Sequence, residues 1–173
     1  MKVEVEYLEF MWPMRHFLIT CGETGGLSNI VSVSFCLPLS KNPPLLGCAL
    51  GQNSYSRKLI DSTGEFIVNV PPATMRKEIY FCGFHSGADI DKFKATGLTP
   101  LPGRKVKAPI IAECLAHMEC QLRKKVKTGD KVLFIGEVVE AYAEEDMVNK
   151  KIKVEFASGD FPRKVYSLRF KSD

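Results

Sequence analysis

The sequence has no run of five or more like charges, no C-x-x-C pair, no G-x-G-x-x-G or Walker pattern, and no apolar stretch approaching eighteen residues. The first absence argues against a nucleic-acid footprint, since the mild net charge of +4 is spread along the chain. The second removes a zinc ribbon and a thioredoxin-type redox centre. Without the glycine-rich motifs a Rossmann or P-loop nucleotide site has no anchor. No segment reads as a membrane helix, and the N-terminus MKVEVEYLEF is charged and alternating rather than leader-like. These features predict a soluble, cytoplasmic protein with neither nucleic-acid nor membrane partners.

The 173 residues, 45% hydrophobic and 25% charged, suffice for one domain with a real core, expected to span residues 1–173. Six cysteines lie at irregular spacings, mostly inside apolar strands, and are expected to be buried free thiols in a reducing compartment. The slight positive balance leaves room for an anionic ligand.

The dominant hydrophobic period is two. Between Asn29 and Leu37, Val31, Val33, Phe35 and Leu37 share one face, and Ile30, Ser32, Ser34 and Cys36 share the other. A strand with one polar face follows, and its serines need backbone, water or a bound polar molecule as partners. A preceding strand near 17–21 joins it through GETGGLS, whose glycines allow the positive φ of a hairpin loop. Further strands are predicted at 45–50, 66–70, 113–122, 132–142 and 151–156, with short helices at 54–62, 74–81 and 89–96. Strands dominate and long crossover helices are missing, so an antiparallel barrel with helices over its openings is expected.

The stretch Gly51-Gln52-Asn53-Ser54-Tyr55-Ser56-Arg57 offers several N-cap residues ahead of a helix whose first turn has free N–H groups. Helix starts often carry an acidic residue there, but Arg57 stands three residues after Ser54, with Lys58 beside it. The pattern is either an ordinary exposed cap or a turn whose anion comes from a ligand, most simply a phosphate. A ligand with a phosphate at one end and a flat hydrogen-bonding ring at the other could reach from this turn to the serine-faced strand. Flavin mononucleotide (FMN) has that shape.

The segments SNIVSVSFCLPLSKNPPLLGCALGQNSYSRKLIDSTGEFIVNVP, YFCGFHSGADIDKF and APIIAECLAHMECQLRKKVKTGDKVLFIGEVVEA carry a further indication. Their ordered strand, Pro-Pro turn, N-S-x-S helix start, G-E-F-x-V-N strand and G-x-V-x-x-A strand resemble the flavin reductase-like family of FMN-binding split barrels, which includes flavoredoxins and archaeal ferric reductases. The likeness covers roughly residues 10–145. It implies a mainly β fold, a six-stranded antiparallel Greek-key split barrel with short flanking helices, assembled as a homodimer with FMN near the interface. It also implies that main-chain groups around Asn29, Val31, Ser32, Val33 and Ser34 meet the isoalloxazine. Asn53, Ser54 and Ser56 then form the phosphate turn, Leu50 and Gly51 line the ribityl chain, and Ser86, Lys92 and Phe93 close over the cofactor. Two positions depart from the pattern: Lys131 stands where many relatives have histidine, and residues 161–170 lack the usual aromatic-glycine closing segment.

The implied activity is an oxidoreductase that moves electrons from NADH, NADPH or a protein donor through FMN to free flavin, ferric chelate, oxygen or a partner protein. No side chain is required as a catalytic acid, base or nucleophile, because hydride transfer is the chemistry of the cofactor. The alternative is a non-catalytic FMN-binding or electron-carrier module. His117-Met118-Glu119-Cys120 contains an H-x-E, but no P-C-x-x-C follows, and Cys120 would leave the face that His117 and Glu119 share, so no metal is expected. His16 and His85 are isolated; His85, beside Ser86, reads as a surface-loop residue or as a nicotinamide contact.

Overall fold

The computed structural model describes residues 4, 6–11, 13–145 and 147. After a 3-10 helix at Tyr7–Phe10, the strands Phe17–Gly22 (β1) and Ser28–Val33 (β2) pair antiparallel, with Ile19 opposite Val31. Gly22 and Gly25 turn the chain between them at φ of 89° and 74°, and a Cβ on Gly22 would lie 2.0 Å from the Leu27 carbonyl oxygen. The chain continues through Cys36–Lys41 (β3), Pro44–Gly51 (β4), Tyr55–Thr63 (α1), Glu65–Val70 (β5), Arg76–Phe84 (α2) and Lys92–Thr96 (α3). A small ribbon of Pro100–Pro102 (β6) and Pro109–Ile111 (β7) precedes the long hairpin of Ala116–Thr128 (β8) and Lys131–Ala143 (β9).

All pairings are antiparallel, and the large sheet has seven strands in the order β2-β1-β5-β8-β9-β4-β3. Its two edge strands are consecutive in the chain, with only Ser34 and Phe35 between them. The expected count of six strands is corrected here, because the continuous strand expected over 29–37 breaks at that point. Ser34 offers its carbonyl to the N–H of Cys36 (2.9 Å), and Phe35 offers its own to Ala49 (2.9 Å). One stretch of chain thus leaves one sheet edge and enters the other, which closes the barrel. Taken as a single bent strand, residues 28–41 restore a six-membered Greek-key ring, since β5 returns to lie beside β1.

Alternation of side chains sorts the apolar residues into layers. Ile19, Cys21, Val33, Cys48, Leu50, Phe66, Val68, Cys120 and Phe134 fill the barrel, and Leu59 and Ile60 of α1 close one opening. Leu18 and Ile30 point outward under α2 and α3, against Met75, Ile79, Cys82 and Phe93. Ile67 packs outward on Val106 and Ala108 of the segment between β6 and β7. The barrel leaves no room for a side chain at Gly136, where a Cβ would lie 2.6 Å from Cζ of Phe66 and 2.9 Å from Cβ of Cys120. Gly136→Ala is therefore expected to destabilise the fold by about 1–3 kcal/mol through overpacking, read as a lower denaturant midpoint with unchanged slope.

Local boundaries differ from expectation for local reasons. α1 begins and ends as its sequence suggests: the Ser54 hydroxyl accepts the Arg57 N–H (3.2 Å), and Gly64 stops the helix at φ 69°. α3 starts at Lys92 rather than near 89, because the Ser86 carbonyl takes the N–H groups of Asp89 and Ile90 in a turn and Asp91 supplies the cap. α2 is shifted to 76–84, and the short ribbon of β6 and β7 stands where no strand was expected. The expected strand at 151–156 and the closing segment 161–170 lie outside the described residues. Among the described residues no helix is long and apolar enough to cross a membrane.

Candidate functional site

α1 lies across one barrel opening, packed on β1, β2 and β4, with its N-terminus following directly from β4. Ser54 is the N-cap, and the first turn of α1 contains no acidic residue. The N–H groups of Tyr55 and Ser56 have no helical acceptor by construction. Arg57 turns its guanidinium back to the Gln52 carbonyl and down the helix to Asp61 (3.3 Å). Its charge therefore stays beside the turn without filling it. Gly51 faces open space where a side chain would stand, and Asn53 is exposed. The turn is held from below by the β8–β9 hairpin: the Gln52 N–H donates to the Asp130 carbonyl (3.2 Å), and its side-chain amide to Gly129. An open helix start with no acidic side chain in its first turn can take an anion.

The polar residues of β2 are tied to the same turn. Asn29, 3% exposed, donates from Nδ2 to Oγ of Ser56 (2.8 Å), which is itself 1% exposed. Gly87 packs on the Asn29 carboxamide so closely that a Cβ would sit 2.1 Å from Oδ1. Lys92, 3% exposed, donates from Nζ to the carbonyls of Ile30 and Cys82, both at 2.8 Å. The second of these belongs to the last turn of α2, where carbonyls lack helical partners and a cation is favoured. Burial pulls the lysine pKa below its ordinary value, with nearby Cys82 and Cys21 opposing that shift. Burial pushes the thiol of Cys21 up to about 12, against the lowering effects of Ser56 and Lys92.

The structure thus brings together Asn29, Ser54, Ser56 and Lys92, with Gly51 and Asn53 on the adjoining turn. Val31 and Val33 direct their side chains into the barrel, so only their main chain faces outward from it. Leu50 is likewise a core residue at 2% exposure. The Ser32 hydroxyl lies 3.4 Å from Nδ1 of His16, and Ser34 is half-buried at the bend. Phe93 is buried with Ile30 in the outer layer, whereas Ser86 is exposed and its hydroxyl accepts the Ala88 N–H within its own turn (3.2 Å). His85 is exposed and stacks on Phe81, with ring centroids 4.0 Å apart.

A second polar centre lies on the outer face of β5, β8 and β9. Glu119 is fully buried and accepts the N–H of Arg104 (2.7 Å), Lys105 (2.6 Å) and Val106 (3.0 Å), together with the Tyr142 hydroxyl (2.8 Å). Arg104 covers the Tyr142 ring at 3.8 Å. His117 bonds Asn69 Oδ1 through Nδ1 (2.8 Å), and Asn69 Nδ2 reaches the Leu18 carbonyl and Thr20. Glu119 thus serves as a clasp for the segment after β6, while His117 is tied to Asn69 of β5. Sequence reasoning did not find this role: on β8 Glu119 shares its face with the polar His117 and Gln121, so nothing in the strand pattern marks it as buried.

Comparison with known proteins gives these features a context. The Flavin reductase like domain model matches residues 12–163. An uncharacterized protein of Archaeoglobus fulgidus is 40% identical over 135 residues, covering 78% of this chain and 75% of that protein. The NADH-dependent FAD reductase of Streptomyces globisporus is 29% identical over 104 residues, 60% of this chain and 56% of that one. Among solved structures, flavoredoxin from Methanosarcina acetivorans superposes with a TM-score of 0.76 at 29% identity, covering 84% of this chain and 76% of its own. With most of its length inside the domain match and its barrel shared with flavoredoxin, this chain belongs to the flavin reductase-like family.

Proposed function

We propose that this protein is an FMN-binding oxidoreductase that passes electrons from NADH, NADPH or a protein donor to free flavin, a ferric chelate, oxygen or a partner protein. The observation that carries the reading is the N-terminus of α1: a serine-capped first turn with no acidic side chain, flanked by Arg57 and by an open Gly51. It suits a terminal phosphate monoester. That favours FMN, although the Streptomyces relative is named for FAD.

In this reading the N–H groups of Tyr55 and Ser56 and the side chains of Asn53 and Ser54 hold the phosphate. Gly51 leaves room for the ribityl chain beside Leu50. The main chain of residues 29–34, at an edge of the sheet, faces the ring, with Ser86, Lys92 and Phe93 holding the neighbouring loop. Lys92 acts through the backbone here, because its ammonium fixes Ile30 and the end of α2 in place. Bound FMN would supply the hydride and electron chemistry, while the chain binds, orients and shields it. The reading includes one domain over residues 1–173, a homodimer with the cofactor near the interface, and a cytoplasmic location.

An absorbance spectrum of the purified protein tests it, followed by NADH and then NADPH without oxygen. Flavin bands that bleach with either nucleotide are expected. Bands that persist would indicate a carrier reduced by a protein donor, and a protein unable to take up added FMN would overturn the assignment.

A further inference from the structure

Cys36 and Cys48 occupy directly opposing positions on β3 and β4. The Ala49 N–H donates to the Phe35 carbonyl just beyond them, so Ala49 turns its N–H toward β3 and Cys48, one residue earlier, turns its own toward β9, which makes Cys36 and Cys48 a non-hydrogen-bonded pair. In such pairs the Cα atoms approach to about 4.5 Å, inside the range of about 4.4–6.8 Å that disulfides span. Opposing residues of a ladder also point to the same face. Both thiols accordingly face the barrel interior, where Cys48 belongs to the buried cluster and Cys36 packs against it. The register is regular here, and its shift lies further along, between Pro38 and Ser40. Both cysteines are reduced in this structure. Cys48 is 1% exposed and Cys36 half-buried, so an oxidant reaches Cys36 first.

We propose that Cys36 and Cys48 form a reversible cross-strand disulfide by exchange with a small-molecule disulfide. The Cys36 thiolate attacks one sulfur of the reagent, giving a mixed disulfide and releasing one equivalent of the small thiol. The Cys48 thiolate then attacks the Cys36 sulfur, releasing the second equivalent. Two protein thiols are oxidised, one reagent disulfide is reduced to two thiols, and the two protein protons end on those thiols. Burial raises the pKa of both groups, Cys36 to about 12, so exchange is slow and the pair stays reduced unless the thiol pool turns oxidising. Cys120, which also faces the barrel interior, is the competing partner. It lies on β8, separated from β4 in the sheet by β9, and lacks the ladder opposition of Cys48. The product would staple the edge strand β3 to β4, the strand that feeds the turn at Gly51–Ser54.

The test is incubation of the folded protein with oxidised glutathione, then alkylation of remaining thiols in denaturant, digestion without reductant and mass spectrometry. The expected result is loss of two of the six thiols and one linked peptide pair joining Cys36 to Cys48. Cys36→Ser should retain all its thiols, and Cys48→Ala should accumulate a glutathione adduct on Cys36, since nothing opposite remains to displace it. Retention of all six thiols, a link through Cys120 or Cys21, or an unresolved adduct in the unmodified sequence would each overturn the proposal. The readout depends on no flavin, so it stands or falls separately from the proposed function.

Discussion

Replacing Glu119 by alanine is expected to lower the melting temperature by roughly 6–12 °C, from a loss of about 3 kcal/mol in a domain of this size. The carboxylate is fully buried and accepts three main-chain N–H groups and one phenol. Removing it strands four donors, each costing about 1–3 kcal/mol when unsatisfied, and water entering the space offsets part of the total. Glu119→Gln keeps one acceptor oxygen and should lose less. Burial alone would raise the Glu119 pKa, but the bonds from Arg104, Lys105, Tyr142 and Val106 outweigh it and hold the group below its usual value. Stability from this site is therefore complete above the unfolded carboxylate value of about 4.3 and is lost as pH falls through the lower folded value. Acid titration of stability in Glu119→Gln should lack that component. Unchanged melting of the alanine variant would show that the segment 104–106 is held by other contacts.

The second large effect is expected from Ser54→Asp. Aspartate is as good an N-cap as serine, so the helix and the ligand-free barrel should remain at least as stable. A carboxylate within about 4 Å of a phosphate opposes binding by up to about 4 kcal/mol per charge pair at an effective dielectric constant of 20, before screening. A fall in FMN affinity of at least tenfold, about 1.4 kcal/mol, is the conservative expectation in a fluorescence titration. Ser54→Asn, a neutral cap, should bind nearly as the unmodified protein does. Equal affinity for all three would place the phosphate elsewhere. Ser56 is the poorer position for this experiment, because its hydroxyl is buried against Asn29 and a carboxylate there would disturb the fold itself.

Much of the barrel was legible because its signals are local. Period-two alternation marked β1, β4, β5, β8 and β9, and Ser54 and Gly64 bounded α1 as a cap and a left-handed stop. The bend at Ser34–Phe35 was not legible, since it depends on Ala49 and on the closing of a sheet whose edges are set by distant pairings. The open turn before α1 could be read from its cap residues and its missing acid. What could not be read was the direction of each side chain: Arg57 could have faced the turn or Asp61, and Lys92 a ligand or the main chain. Packing decided both, through Gln52 and Asp61 in one case and Ile30 and Cys82 in the other. The Glu119 clasp escaped for the same reason, because its partners are N–H groups that no side-chain pattern reveals.

The closing of the barrel through one bent strand also has a consequence during synthesis on the ribosome. β4 is complete at Gly51, but its ladder partner β9 ends only at Ala143. At translation rates of about 5–20 residues per second, the free edge of β4 waits roughly 5–18 s for its neighbour. A β3–β4 hairpin formed in that interval would leave uncovered the face that carries Leu46, Cys48 and Leu50 in the folded barrel. An unpaired edge of this kind is open to pairing with other chains, and β9, the last strand among the described residues, is the one that covers it.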